Sequence, residues 1–223
     1  MTRVLIVDDQ QSIRLGLTLQ LRSVPEIEVV GAAADGQEAL DLISSGTADP
    51  QVVLMDVRMP RLDGIAATAQ IAATRPEVRV LILTTFDEDE AAFAALDSGA
   101  SGFLLKDATT SQLADAIAAV ANGDAVLAPR ITRELLARSV LNQQPQPRLD
   151  ERQAAARALL RRLSERELEG LVAVGRGLTN AEIAETQHLA PSSVKTYISR
   201  LLTKLGRRDR VGLVILARDA DLR

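Results

Sequence analysis

The sequence predicts a doubly wound α/β domain on a five-stranded parallel sheet, followed by a small all-α domain. Three observations carry this. The first half alternates short β-branched runs, apolar on both faces, with longer segments of helical period. From Asp150 onward the pattern is helical only. The charge also changes sign along the chain: residues 1–125 hold 19 acids and 8 bases, and residues 126–223 hold 11 acids and 18 bases, a net of −11 against +7.

Val4–Val7, Ile27–Ala32, Gln51–Met55, Val78–Leu83 and Gly102–Leu105 read as the strands. The segments Ser12–Val24, Gly36–Ser44, Gly64–Thr74, Glu88–Ser98 and Ser111–Asn122 read as the helices. Asp35-Gly36 and Asp63-Gly64 open two of them, while Ser98-Gly99 and Asn122-Gly123 close two. Such β-α repeats need helices on both faces of the sheet, and ligands of open sheets of this kind sit at the carboxyl ends of the strands.

The linker, residues 123–158, carries a helix-like stretch at Arg130–Leu141 and then the polar, Pro-punctuated run Asn142–Pro147. Residues 1–122 are thus expected to form one domain and residues 159–223 a second. In the second, Ser164 and Glu167 form a capping box that opens a helix to Val174. Gly175-Arg176-Gly177 breaks it, Asn180–Gln187 makes a short helix, and Pro191 starts a longer one through Leu205. This is the grammar of a helix-turn-helix.

Composition removes several chemistries. With no cysteine there are no disulfides, thiolate nucleophiles or Cys-based zinc sites, and one histidine, His188, cannot build a multi-His metal site. His188 falls in a turn with no serine or acid placed to use it. No apolar run approaches the ~20 residues of a bilayer span, and Asp8-Asp9 comes too early for a secretory h-region. A cytoplasmic protein is expected. Of 26 basic residues only Lys106, Lys195 and Lys204 are lysines. The arginine excess reflects genome composition, so the lysines are the more informative positions.

Asp8 and Asp9 follow the first strand and Asp56 the third, so three carboxylates converge at one sheet edge. Each alone reads as the N-cap of the next helix, as Asp35, Asp63 and Asp107 are read. Together they form an all-oxygen site suited to a hard ion, Mg²⁺ in particular. Thr84 ends the fourth strand and Lys106 follows the fifth, adding a hydroxyl and an ammonium to the same rim. That set suits phosphoryl transfer.

Val-Asp-Asp at 7–9, Leu-Met-Asp-Val-Arg-Met-Pro-Arg-Leu-Asp-Gly at 54–64, Leu-Thr-Thr-Phe at 83–86 and Gly-Ala-Ser-Gly-Phe-Leu-Leu-Lys-Asp at 99–107 resemble a response-regulator receiver domain, a flavodoxin-like fold. The resemblance implies that Asp56 accepts a phosphoryl group from a histidine kinase. Asp8, Asp9 and Asp56 would hold Mg²⁺ with the Arg58 backbone carbonyl. Lys106 would pair with the phosphate, Thr84 would donate to a phosphoryl oxygen, and Phe103 would be the aromatic switch residue that follows Thr84. Arg58 and Phe86 flank the pocket, where their bulk is expected to slow self-hydrolysis of the phosphoaspartate.

On the third helix of the basic half, Lys195, Thr196, Ser199 and Arg200 share one side, while Val194, Ile198, Leu201, Leu202 and Leu205 supply apolar contacts. The polar side offers donors to bases and phosphates, although any three-helix bundle also has a solvated helix. Leu-Ser-Glu-Arg-Glu-Leu-Glu at 163–169, Gly-Leu-Thr-Asn-Ala-Glu-Ile-Ala at 177–184, Ser-Ser-Val-Lys-Thr-Tyr at 192–197 and Lys-Leu-Gly-Arg-Arg-Asp-Arg at 204–210 resemble the LuxR-type DNA-binding domain. A receiver joined to this module is the architecture of NarL/FixJ-type response regulators, a subfamily in which Asp107 after Lys106 is usual. Ser192–Leu205 would then be the recognition helix and Asp209–Ala220 the dimerisation helix. Lys195, Thr196 and Ser199, with Arg200 beside them, would reach the groove, and Thr179 and Lys204 would touch phosphate. Tyr197 reads equally as a phosphate contact or a packing residue, and Gln187 stands where the family is usually apolar.

The expected function is a transcriptional regulator, not an enzyme, in which phosphorylation promotes dimerisation and binding to double-stranded promoter DNA. An Asp-nucleophile, Mg²⁺-dependent phosphatase is the alternative from another class, but no Asp-x-Asp pattern supports it. A DNA-binding protein whose receiver is controlled without phosphate is the third reading.

Overall fold

In the computed structural model the described residues are 1–84, 94–124 and 147–222. The chain divides into two compact units, Met1–Leu127 and Ala128–Arg223.

In the first unit, β1 (Thr2–Val7), β2 (Ile27–Ala33), β3 (Val52–Asp56), β4 (Arg79–Thr84) and β5 (Gly102–Leu105) form one parallel sheet in the order β2-β1-β3-β4-β5. Helices α1 (Gln11–Arg22), α2 (Gly36–Ser44) and α3 (Gly64–Thr74) connect the strands, and α4 (Thr110–Ala121) follows the last of them. Residues 94–97 are also helical; the start of the helix expected at Glu88 lies outside the described residues. The interiors of β1, β3 and β4 are apolar on both faces because both faces are covered. Val4, Ile6, Leu54 and Leu81 pack with Leu21 of α1 and with Leu113, Ile117 and Val120 of α4. The alternate residues Leu5, Val53 and Met55, equally buried, point to the other face, where α2 packs with α3. The doubly wound sheet is therefore present as expected.

Helix caps explain where the connections turn. The Asp35 carboxylate accepts from the Gln37 and Glu38 amides, and that of Asp63 from Ala66. Asp107 does not play this part. Thr109 caps α4 in a reciprocal box with Gln112, and so replaces the aspartate cap expected from the sequence. Chain order reverses between β1 and β3, and the carboxyl ends of strands at such a reversal are where open sheets of this kind hold ligands.

The second unit is helical among its described residues: α5 (Pro147–Leu160), α6 (Glu165–Gly175), α7 (Asn180–Thr186), α8 (Pro191–Leu205) and α9 (Arg210–Asp219). Its core joins Ala156, Leu171, Val174, Ile183, Val194, Ile198, Leu201, Leu213 and Leu216. Ser164 and Glu167 close their capping box at the start of α6, and Thr179 with Glu182 makes another on α7. Gly206, at φ 61°, ends α8 in the left-handed conformation that a side chain disfavours. Helix α5 overlaps the segment read as linker and packs on α9, whereas Arg130–Leu141 lies outside the described residues.

Candidate functional site

Strand register builds the acidic centre. Val7 lies opposite Met55 and Asp56 opposite Leu83, so the ends of β1, β3 and β4 align. Asp56 is the last residue of β3 rather than the first after it. Ligand oxygens of Asp8, Asp9 and Asp56 lie within 4.8 Å of one another. Asp8 and Asp56 are buried and Asp9 is exposed.

Lys106, just past β5, enters this group from the side. Its ammonium stands 2.7 Å from Asp8 Oδ2 and 2.8 Å from Asp56 Oδ1. Burial pushes the Asp56 carboxyl up, an effect that the hydrogen bond and charge of Lys106 only partly offset, and the nearby Asp8 charge adds to it. Burial pulls the Lys106 ammonium down, but its bonds to Asp56 and Asp8 outweigh that and hold it above its ordinary value. Three carboxylates against one ammonium leave an excess of negative charge in an all-oxygen donor set. That chemistry fits a hard divalent ion such as Mg²⁺.

Thr84 ends β4, buried, and its carbonyl accepts from the Lys106 amide at 2.8 Å. Phe103, on β5, is also buried. Arg58 is exposed and lines a shallow depression with Val57, Met59, Asp63 and Ile65. Phe86 lies outside the described residues.

Three features here were not read from the sequence. Arg14 of α1 reaches back to the carbonyls of Asp8 and Asp9. Arg61, at φ 61°, places its guanidinium on the buried Asp35 carboxylate, with Nε at 2.6 Å, and the Gly36 amide donates to Leu62 O at 3.0 Å. The loop after Asp56 is thus tied to the start of α2. Finally, Gly64 donates to Val57 O at 2.9 Å and has no room for a side chain, since a Cβ would overlap the Asp56 carbonyl oxygen.

In the helical unit, Lys195, Thr196, Ser199 and Arg200 are exposed on α8, while Val194, Ile198, Leu201 and Leu205 are buried beneath them. The remaining candidates are engaged within the domain. Lys204 Nζ lies 2.6 and 2.8 Å from the two Glu167 carboxylate oxygens. That bond, together with those from Ser164, holds the Glu167 carboxyl down to about 2. The Tyr197 hydroxyl donates to the Arg166 carbonyl, and the ring fills the space over Gly170. Thr179 gives its hydroxyl to the α7 capping box. Gln187 buries an Oε1 without a hydrogen-bond partner among the described residues, the physical cost of an amide at this position. His188 turns the chain at φ 53°. Arg210, to which the sequence motif at 204–210 assigns no role, is buried and donates to Asn180 Oδ1 at 2.7 Å and to Leu178 O, which binds α9 to the α6–α7 turn.

Residues 4–118 match the family model of the response regulator receiver domain, and residues 161–217 that of bacterial regulatory proteins of the luxR family. The response regulator protein VraR of Staphylococcus aureus is 34% identical over 215 residues, 96% of this chain and 95% of VraR. The crystal structure of ChrA, a response regulator of a heme-sensing two-component system, is 34% identical with a TM-score of 0.52, covering 100% of this chain and 98% of its own. A LuxR-family two-component response regulator from Aurantimonas sp. SI85-9A1 is 33% identical with a TM-score of 0.56, covering 63% of this chain and 99% of its own.

Proposed function

This chain is a response regulator of the NarL/FixJ type, a receiver joined to a LuxR-type DNA-binding helix-turn-helix, and from that membership we propose that Asp56 is the phosphoacceptor that controls DNA binding. The receiver spans residues 1–122 and the DNA-binding domain 159–223, and the segment 123–158 joins them, its part in α5 packing on α9. The carrying observation is the buried Asp56 carboxylate at the end of β3, with Asp8 and Asp9 beside it and Lys106 at 2.8 Å.

An Asp56 oxygen attacks the phosphorus of a phosphohistidine on a sensor kinase; the P–N bond breaks and the imidazole nitrogen leaves with its electron pair. The product is an acyl phosphate. Asp8, Asp9 and Asp56, with the Arg58 carbonyl, would hold Mg²⁺, which when bound neutralises charge on the transferring group. Lys106, already on Asp56 Oδ1, supplies a second positive charge where the phosphoryl oxygens arrive. Thr84 donates its hydroxyl to one of them, and Phe103 follows that movement. The bulk of Arg58 and Phe86 slows self-hydrolysis of the phosphoaspartate. The new charge biases the receiver toward a state that dimerises and binds promoter DNA. Lys195, Thr196, Ser199 and Arg200 face the major groove.

Intact mass and light scattering after incubation with Mg²⁺ and a small-molecule phosphodonor test this reading. One phosphoryl group is expected on the wild type and none on Asp56→Ala, with a shift to dimer and tighter DNA binding in the wild type only. Equal mass gain in both proteins would remove Asp56 as the acceptor.

A further inference from the structure

Arg14 sits in the first turns of α1, and one guanidinium nitrogen donates to two successive carbonyls, Asp8 O at 2.7 Å and Asp9 O at 3.1 Å. These belong to the residues whose carboxylates form the acidic centre. We propose that Arg14 is a positioning residue for that centre: it fixes the backbone of Asp8 and Asp9, so that both carboxylates are aimed before a divalent cation arrives. The proposal rests on the reading of Asp8, Asp9 and Asp56 as the Mg²⁺ site.

The loop from β1 to α1 is also held at its start, where the Asp8 amide donates to Ala33 O at 3.2 Å. Gln10, the N-cap of α1, makes no side-chain capping bond, and the first turn of the helix contains no acid. Asp8 is held through its own carboxylate, by the Gln10 amide at 2.9 Å and by Lys106 at 2.7 Å. Asp9 differs. Its carboxylate is exposed and has no partner among the described residues, so what holds it near the cluster is the backbone that sets its Cα–Cβ direction. Arg14 holds that backbone at the carbonyl.

The choice of acceptor matters. Lys106 occupies carboxylate oxygens of Asp8 and Asp56 and so shares them with any cation. Arg14 takes only main-chain oxygens and leaves the carboxylate lone pairs open. The guanidinium remains charged at every working pH, so the clamp does not titrate away.

Charge and positioning predict opposite signs, which makes the inference testable. By charge alone, removing an arginine beside a cation site tightens the cation. By positioning, the same removal loosens it. Mg²⁺ binding to full-length wild type, Arg14→Ala and Arg14→Lys, followed by titration calorimetry, separates the two. Arg14→Ala is expected to bind Mg²⁺ about tenfold more weakly, the usual scale for losing a group that orients a metal ligand. Its phosphorylation rate at saturating Mg²⁺ should stay within about twofold of wild type, and Arg14→Lys should recover part of the affinity.

Unchanged or tighter Mg²⁺ binding by folded Arg14→Ala would overturn the proposal, as would a rate that falls at saturating Mg²⁺ while affinity holds. Should Arg14→Ala fail to fold, Arg14→Lys carries the test, with wild-type affinity the overturning result. A wild type that binds no Mg²⁺ would instead refute the reading of the acidic centre, and the positioning role with it.

Discussion

Gly64 shows how much of a site can depend on an absent side chain. The dipeptide Asp63-Gly64 reads in the sequence as a helix opening, and Asp63 does cap α3. The reason for glycine is elsewhere: a Cβ there would overlap the carbonyl oxygen of Asp56. Backbone cannot swing away as a long side chain can, so Gly64→Ala must push either α3 or the end of β3 at Asp56. A loss of about 1–3 kcal/mol, the usual scale of overpacking, is expected in urea unfolding. The phosphorylation rate should also fall by at least tenfold. Wild-type rates in a variant this destabilised would show that α3, not Asp56, gives way. Asp8, Asp56 and Lys106 were legible because acids and a lysine at strand ends follow directly from the alternation of the chain. Gly64 and Arg14 were not. Their contacts depend on how a loop folds back, and one arginine among 23 carries no pattern of its own.

Helix α8 was read correctly as an amphipathic element, since its buried positions follow the helical period of Val194, Ile198, Leu201 and Leu205. What periodicity cannot give is the use of a polar side chain that leaves the helix for a neighbour. Lys204 meets Glu167 at the start of α6, and Tyr197 reaches the Arg166 carbonyl, so α8 is braced at two points against one helix end. The geometry therefore separates two lysines that the sequence treats alike. Lys195 is exposed and has no ion pair among the described residues; Lys204 is paired. Each phosphate neutralised by a cation releases counterions and adds about 0.9 to the slope of log K against log salt. Lys195→Gln is expected to reduce the slope for duplex DNA by about that amount. Lys204→Gln should weaken binding while leaving the slope near its wild-type value, because the lost charge was already compensated by Glu167. Equal reductions in slope would mean that Lys204 exchanges Glu167 for phosphate on binding. Helix α5 marks the opposite limit of sequence reading. Its Ala- and Arg-rich turns carry an apolar face only near the C-terminal end, at Ala156, Leu159 and Leu160, and Pro147 stands in the first turn, where proline is tolerated.

At the scale of the whole molecule, the receiver core around Leu54, Leu81 and Ile117 and the helical core around Leu171, Ile198 and Leu213 share no residue. Each holds enough apolar volume for its own cooperative transition. Calorimetry of the full chain is therefore expected to resolve two unfolding events. Ligand linkage then assigns them: a ligand that binds only a native unit stabilises that unit by RT ln(1 + [L]/Kd), about 2.7 kcal/mol at a hundredfold excess over Kd. Mg²⁺ should raise one transition alone by several degrees, and duplex DNA the other. Gly175→Ala supplies an internal marker, because a Cβ there would come 2.8 Å from Ala217 Cβ and should lower only the transition that DNA raises. A single transition that moves as one under all three perturbations would sink the two-unit picture. Control by phosphate would then have to pass through a shared fold. In either case a change at Asp56 could bias DNA binding only by the difference in free energy it creates between the states of the chain that do and do not bind DNA.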